Sequence, residues 1–363
     1  MLTVKKIIKN KILLPSVFLA LILSLVIIPL FLVTLSPLSL SIPKGVQIKS
    51  GSHLFYNFLE NIKQANGILV LGTSETGNSL NGNNYYSLLN KDQNFNRSVY
   101  ALGGAGRSAN VYFPLILDNP KAFKDLNIIY YINPTYWRNG LNKFNETYAN
   151  RYIESSLVNS TKKFAQKEGV FDDFMNLGEN YNSNILFSFS RAIDRFKSLY
   201  YHDLNLVLWK KTVIPIKKIN IKTTYDSIRL TGLKQQINLE FNVTDDFLRK
   251  NSDFPSINTK STYQDDLLLA FIQLCEKYEI NCTFYLGPYN EIYCQQKNPE
   301  LINEHQIVIK KIKDRLINSQ IDFIDGSNLS SVPGTFMDVQ HISEYGAFLT
   351  AIQIKEHYEK TNN

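Results

Sequence analysis

The chain has 363 residues, 44% of them hydrophobic and 20% charged, with a formal charge of +7. That balance supports one sizeable core plus an insertion, or two small domains, and excludes disorder on a large scale. Lys5, Lys6, Lys9 and Lys11 concentrate positive charge just before the first apolar run. The remainder has no Lys/Arg stripe interleaved with aromatics, which sets nucleic-acid binding aside.

From the N-terminus, residues 1–11 read as a short basic cytoplasmic segment, and residues 12–35 as one transmembrane helix. Ile12 to Leu35 carries no charge, and about 20 such residues cross the hydrocarbon core. A cleaved signal peptide, the competing reading, has a shorter apolar stretch and a small-residue cleavage site, and neither feature is present. Lysines precede the span and none follows until Lys44, so the positive-inside rule puts the N-terminus inside and the rest of the chain outside a cytoplasmic membrane. Pro15 and Pro29 bend such a helix without barring insertion. Residues 36–50 form a linker, and 51–363 an extracytoplasmic domain.

Within that domain, Gly67-Ile-Leu-Val-Leu-Gly72 is a compact apolar run that breaks into Thr-Ser-Glu-Thr-Gly, as a buried strand does where it enters a polar loop. Arg97 to Leu102 reads as a second strand, followed by Gly-Gly-Ala-Gly106 and a helix over Ser108–Leu117. Leu126 to Ile132 is a third, closing at Asn133-Pro134. Residues 140–260 break the rhythm with an Asn-, Tyr-, Phe-, Lys- and Ser-rich stretch. A loop of that length is expected to carry helices, such as Phe187–Tyr200, and to fold over one end of the sheet. Helical periodicity resumes over Asp265–Tyr278, followed by a strand at Cys282–Leu286, a basic helix at Leu301–Ile317, a strand at Ile321–Ile324 and a closing helix at Ser343–Glu359. Strands alternating with helices predict an α/β fold with a mostly parallel sheet covered on both faces. Cys275, Cys282 and Cys294 lack metal-ligand spacing, and either one disulfide or three buried thiols fits them.

Two places carry candidate chemistry. Ser74 stands two residues after Gly72, where a tight turn lifts a hydroxyl above the sheet edge; a serine there is either a nucleophile or a helix cap. Asp338 and His341 are spaced i, i+3, so that a carboxylate can orient an imidazole and stabilise its protonated form. Of the five histidines, His341 is the one with an acid at that spacing directly after the last predicted strand.

Val70-Leu-Gly-Thr-Ser-Glu-Thr-Gly77, Ala101-Leu-Gly-Gly-Ala-Gly106 and Asp338-Val-Gln-His-Ile-Ser-Glu-Tyr-Gly346 resemble, in order, blocks I, II and V of SGNH/GDSL hydrolases. The resemblance covers roughly 50–140 and 260–360. It implies a flavodoxin-like three-layer sandwich with Ser74 as nucleophile, His341 as base and Asp338 as its partner. The oxyanion donors it implies are the Ser74 N–H and that of Gly106, or of Gly103 in an alternative register. The third donor is Asn133 or Thr135, or is missing. Thr73 replaces the acid of G-D-S, and Asn133-Pro-Thr-Tyr-Trp137 replaces G-x-N-D.

Both departures resemble the membrane-anchored D-alanyl transfer proteins of teichoic acid biosynthesis (DltD-like), as does Leu286-Gly-Pro-Tyr-Asn290; block V lacks that subgroup's His-Leu-Gly. The resemblance implies a serine acyltransferase or esterase needing no metal or organic cofactor. Its acceptor would be a cell-envelope polysaccharide or polyol polymer, beside a membrane-bound O-acyltransferase. A rival reading is a non-catalytic scaffold for such a partner.

Overall fold

The computed structural model describes residues 15–24, 53–77, 84–101, 109–118, 120–137, 225–241, 259, 262–297 and 299–361. The α/β body begins with α1 (His53–Gln64), β1 (Ile68–Leu71), a single turn α2 (Ser74–Gly77), α3 (Tyr85–Lys91) and β2 (Val99–Ala101). It continues with α4 (Ala109–Asp118), α5 (Pro120–Phe123), β3 (Asn127–Ile132) and a 3-10 turn at Pro134–Trp137. After α6 (Tyr225–Phe241) come α7 (Thr262–Lys277), β4 (Cys282–Leu286), α8 (Glu291–Lys297), α9 (Glu300–Asn318), β5 (Phe323–Asp325) and α10 (Glu344–Thr361).

The five strands pair in the order β2-β1-β3-β4-β5, all parallel, the flavodoxin-like doubly wound order. Every residue of β1 and β4 is buried, as is all of β3 beyond Asn127. A parallel sheet covered on both faces demands such unbroken apolar runs. The pleat divides them: Leu69 and Leu71 join one core with Tyr112, Phe271 and Val308, while Ile68 and Val70 join the other with Leu88, Phe348 and Ile354. Helices α1, α4, α7 and α9 therefore cover one face, and α3 and α10 the other. On the second face Tyr131 and Tyr285, opposite each other in register, stack at 5.2 Å, and Tyr85 stacks on Tyr131 at 6.0 Å.

The predicted strand Ile321–Ile324 begins later than expected, at Phe323. The Ile321 N–H still reaches back to the Leu316 carbonyl at 3.2 Å, and Gln320 takes φ 52°, so these residues close α9 with a left-handed cap. The three cysteines are buried free thiols, which decides between the two alternatives. Burial pushes the Cys282 thiol well up and that of Cys294 to about 12, a chemically inert state.

Of the expected insertion at 140–260, α6 and residue 259 are described; the predicted helix Phe187–Tyr200 lies outside the described residues. Helix α6 packs on α10 and on the segment before it. A Cβ on Gly232 would sit 2.7 Å from the Gly334 carbonyl oxygen and 2.5 Å from the Tyr345 Cβ, so this crossing needs glycine. At the N-terminus residues 15–24 are helical, with Val17, Phe18 and Leu19 exposed. Among the described residues no helix is long and apolar enough to cross a membrane, and the rest of the predicted span 12–35 and the linker 36–50 lie outside them.

Lys355 on α10 reaches Asp92, at the end of α3, at 2.7 Å, with the Asp92 side chain fully buried. Removing one member of a buried pair strands the other charge. Asp92→Ala is expected to lower unfolding stability by about 3–5 kcal/mol in chemical denaturation, whereas Asp92→Leu combined with Lys355→Met is expected to recover most of that loss.

Candidate active site

The end of β1 is shaped by close approach. Gly72 accepts a hydrogen bond from the Tyr112 hydroxyl at 2.6 Å, and a Cβ on it would lie 2.5 Å from Thr76 Cγ2 and 3.0 Å from Tyr131 Cβ. Only glycine lets the chain turn here directly from strand into helix. The Thr73 carbonyl then accepts from both the Thr76 N–H (3.0 Å) and the Thr76 hydroxyl (2.8 Å), locking the α2 turn that begins at Ser74. The apolar run to Gly72 thus ends as a buried strand, as expected, and the polar residues after it form a single helical turn. The Ser74 side chain, Gly103 and Gly106 lie outside the described residues.

Asp338 and His341 sit in a tight loop. Phe336 and Ile342 form an antiparallel bridge, and the Met337 N–H donates to the His341 carbonyl at 3.0 Å. Inside it, Asp338 Oδ1 accepts the backbone N–H groups of Gln340 (2.9 Å) and His341 (2.6 Å), an Asx turn that fixes the carboxylate. Its Oδ2 lies 2.6 Å from His341 Nδ1. A carboxylate only accepts, so the proton resides on Nδ1 and leaves Nε2 as the basic nitrogen. The His341 and Asp338 side chains are 18% and 16% exposed. Asn290 Nδ2 donates to the Asp338 carbonyl at 3.0 Å, while Asn290 Oδ1 caps α8 through the Tyr293 N–H. The Leu286–Asn290 segment therefore buttresses this loop. Gln340 Nε2 stands 3.4 Å from His341 Nε2.

Glu75, next to Ser74, links the end of β1 to the end of β3. It is 4% exposed and accepts a hydrogen bond from Asn133 Nδ2, at the end of the neighbouring strand β3. Asn133 Oδ1 in turn accepts from the Thr135 N–H (2.9 Å) and the Thr135 hydroxyl (2.6 Å). The Thr135 hydroxyl hydrogen is thus committed to Asn133, and one amide hydrogen of Asn133 to Glu75. Burial raises the Glu75 carboxyl pKa; the charges of His341, which lowers it, and Asp338, which raises it, both act on it. Because the sheet is parallel, the turn that begins at Ser74 just beyond β1 and the loop that Asn290 holds just beyond β4 lie at the same, carboxyl end of the sheet. The sequence reading gave Glu75 no role; the available signal was a lone acid placed directly after the candidate nucleophile. Asn290 was noted within its segment without a function.

A buried carboxyl with a raised pKa favours the folded state most below its ordinary value near 4.5, and that contribution is lost as pH rises through the folded value. Glu75→Gln, which keeps an acceptor for Asn133, is thus expected to raise the melting temperature relative to wild type more at pH 8 than at pH 4. A larger gain at pH 4 would mean that His341 and Asn133 hold Glu75 as a carboxylate. In comparisons with known proteins, no protein-family model and no curated protein matches this chain.

Proposed function

We propose that this chain is a serine acyltransferase or esterase of SGNH type, anchored by residues 12–35 in the cytoplasmic membrane with its α/β domain outside. It would act on acyl esters of an envelope polysaccharide or polyol polymer, in the manner of the DltD-like subgroup. The observation that carries this reading is the Asp338–His341 pair, bonded through Nδ1 at 2.6 Å in a loop that Asn290 holds at the carboxyl end of β4, the end of the parallel sheet at which β1 runs into the Ser74 turn.

In this mechanism the Ser74 oxygen attacks the acyl carbonyl while His341 Nε2 takes its proton, and Asp338 stabilises the imidazolium. The oxyanion is received by the N–H of Ser74 and that of Gly106 or Gly103. His341 returns the proton to the leaving alcohol, and an acyl-serine ester remains. An acceptor hydroxyl, or water, then attacks that ester with His341 again acting as base. Neither metal nor organic cofactor enters the scheme. The partners are the acceptor polymer, the bilayer and a membrane-bound O-acyltransferase that supplies acyl groups.

The second reading, a non-catalytic scaffold for that acyltransferase, draws on the commitment of Asn133 and Thr135 to Glu75 and to each other. The two readings separate in a labelling experiment on the full-length protein in detergent, using a fluorophosphonate probe. Catalysis predicts labelling of wild type, its loss in Ser74→Ala and His341→Ala, and a fall of about 10⁴-fold in ester turnover for Asp338→Asn. A folded wild type that does not label supports the scaffold.

A further inference from the structure

At the carboxyl ends of β1 and β3, between the sheet and the layer formed by α4 and α7, lies a cavity of about 20 Å³. Its walls are mostly apolar and aromatic, including Tyr136, Trp137 and Leu268, with Thr73, Asn133 and Gln264 as the polar members. The volume suits a single oxygen-sized group. Thr73 and Gln264 are 3% and 5% exposed, and Thr73 Oγ1 and Gln264 Nε2 have no hydrogen-bond partner among the described residues. Buried polar groups are nearly always paired in folded proteins, so two orphans lining one cavity call for a common partner.

The chemistry of that partner follows from the donors. An amide N–H can only give a hydrogen bond, and a hydroxyl can give one as readily as take one. Together they suit one acceptor oxygen. The position is equally informative: Thr73 immediately precedes Ser74, Asn133 ends β3, and Ala109, also on the cavity wall, follows the Gly103–Gly106 segment. The side-chain donor that the resemblance assigns to Asn133 is partly spent, with one amide hydrogen on Glu75 and the carbonyl on Thr135.

We propose that Gln264 Nε2 and Thr73 Oγ1 form a two-donor site for one carbonyl-type oxygen, that of the acyl ester attacked by Ser74, and that Gln264 supplies the side-chain donor that Asn133 otherwise would. The inference rests on the acyl-transfer reading above. As Ser74 Oγ bonds to the carbonyl carbon, the carbon–oxygen π pair moves onto this oxygen. The negative charge then develops against two preorganised donors in a water-poor pocket, where such donors act most strongly. Collapse of the intermediate returns the pair to carbon and expels the alcohol, protonated by His341. Before substrate arrives, a water oxygen offers the same chemistry.

The test compares full-length wild type, Gln264→Leu, Gln264→Glu and Thr73→Val in detergent, each checked by thermal melting, for turnover of p-nitrophenyl acetate and rate of fluorophosphonate labelling. Gln264→Leu is expected to lower kcat by about 10²–10³-fold with little change in KM. Gln264→Glu exchanges the N–H donor for a carboxyl that donates only when protonated, so its turnover is expected to fall further below that of wild type as pH rises. A folded Gln264→Leu protein that turns over at the wild-type rate overturns the inference while leaving the acyl-transfer reading intact. Wild type that neither labels nor turns over overturns both. Should the variants fail to fold, the crystal structure of phosphonylated wild type decides: the phosphoryl oxygen within hydrogen-bond distance of Gln264 Nε2 supports the site, and an oxygen directed elsewhere refutes it.

Discussion

The hydrogen bond from His341 Nδ1 to Asp338 Oδ2 is the contact on which the functional account depends, and the loop around it is built to hold it. One carboxylate oxygen is consumed by two backbone N–H groups of the same loop, so the other is aimed at the imidazole without any rotamer left to choose. The antiparallel bridge Phe336–Ile342 fixes the ends of this loop, and Asn290 holds it from the β4–α8 segment. A base oriented in advance loses little entropy when it is used, which is where the value of positioning lies in acyl transfer. Helix α6 packs, through the close approach at Gly232, on Gly334, Ser343 and Tyr345, which flank this loop.

A second network, Glu75–Asn133–Thr135, ties the end of β1 to the end of β3. These strands are neighbours in the sheet, so the residues just beyond them meet across a short gap. Burial of a carboxyl costs free energy unless hydrogen bonds offset it. Here Oε1 has Asn133 while Oε2 has no partner among the described residues. That imbalance sits beside the candidate nucleophile rather than in the distal core, as expected where a fold spends stability on a site. The Asp92–Lys355 pair, by contrast, joins α3 to α10 and reads as structural.

What was legible in the sequence follows from how local each signal is. Cys282–Leu286 was read with its observed bounds, because a parallel strand buried on both faces is a continuous apolar run. The Asp338–His341 pair was legible because its geometry is set within one turn of chain. Helix α3 was not, since its start is an Asn84 side chain accepting the Ser87 N–H inside a stretch of Asn, Gly and Tyr that reads as loop. Glu75 and Asn133 stand 58 positions apart, and Thr73 and Gln264 meet through the cavity between sheet and α7. Such meanings arise only when strands are paired and layers stacked. The cysteines stayed ambiguous for the same reason: spacing alone does not say which side of a helix or strand is buried.

The most direct measurement is trapping of the covalent intermediate. Full-length protein in detergent would be mixed with an activated acetyl ester, quenched in acid, and examined by peptide mass mapping. Acyl transfer predicts an acetyl group on the peptide containing Ser74, absent in Ser74→Ala and discharged when a polyol acceptor or water is allowed time to react. Intact, folded protein that forms no acyl-serine, or that is acetylated only at other residues, would contradict it.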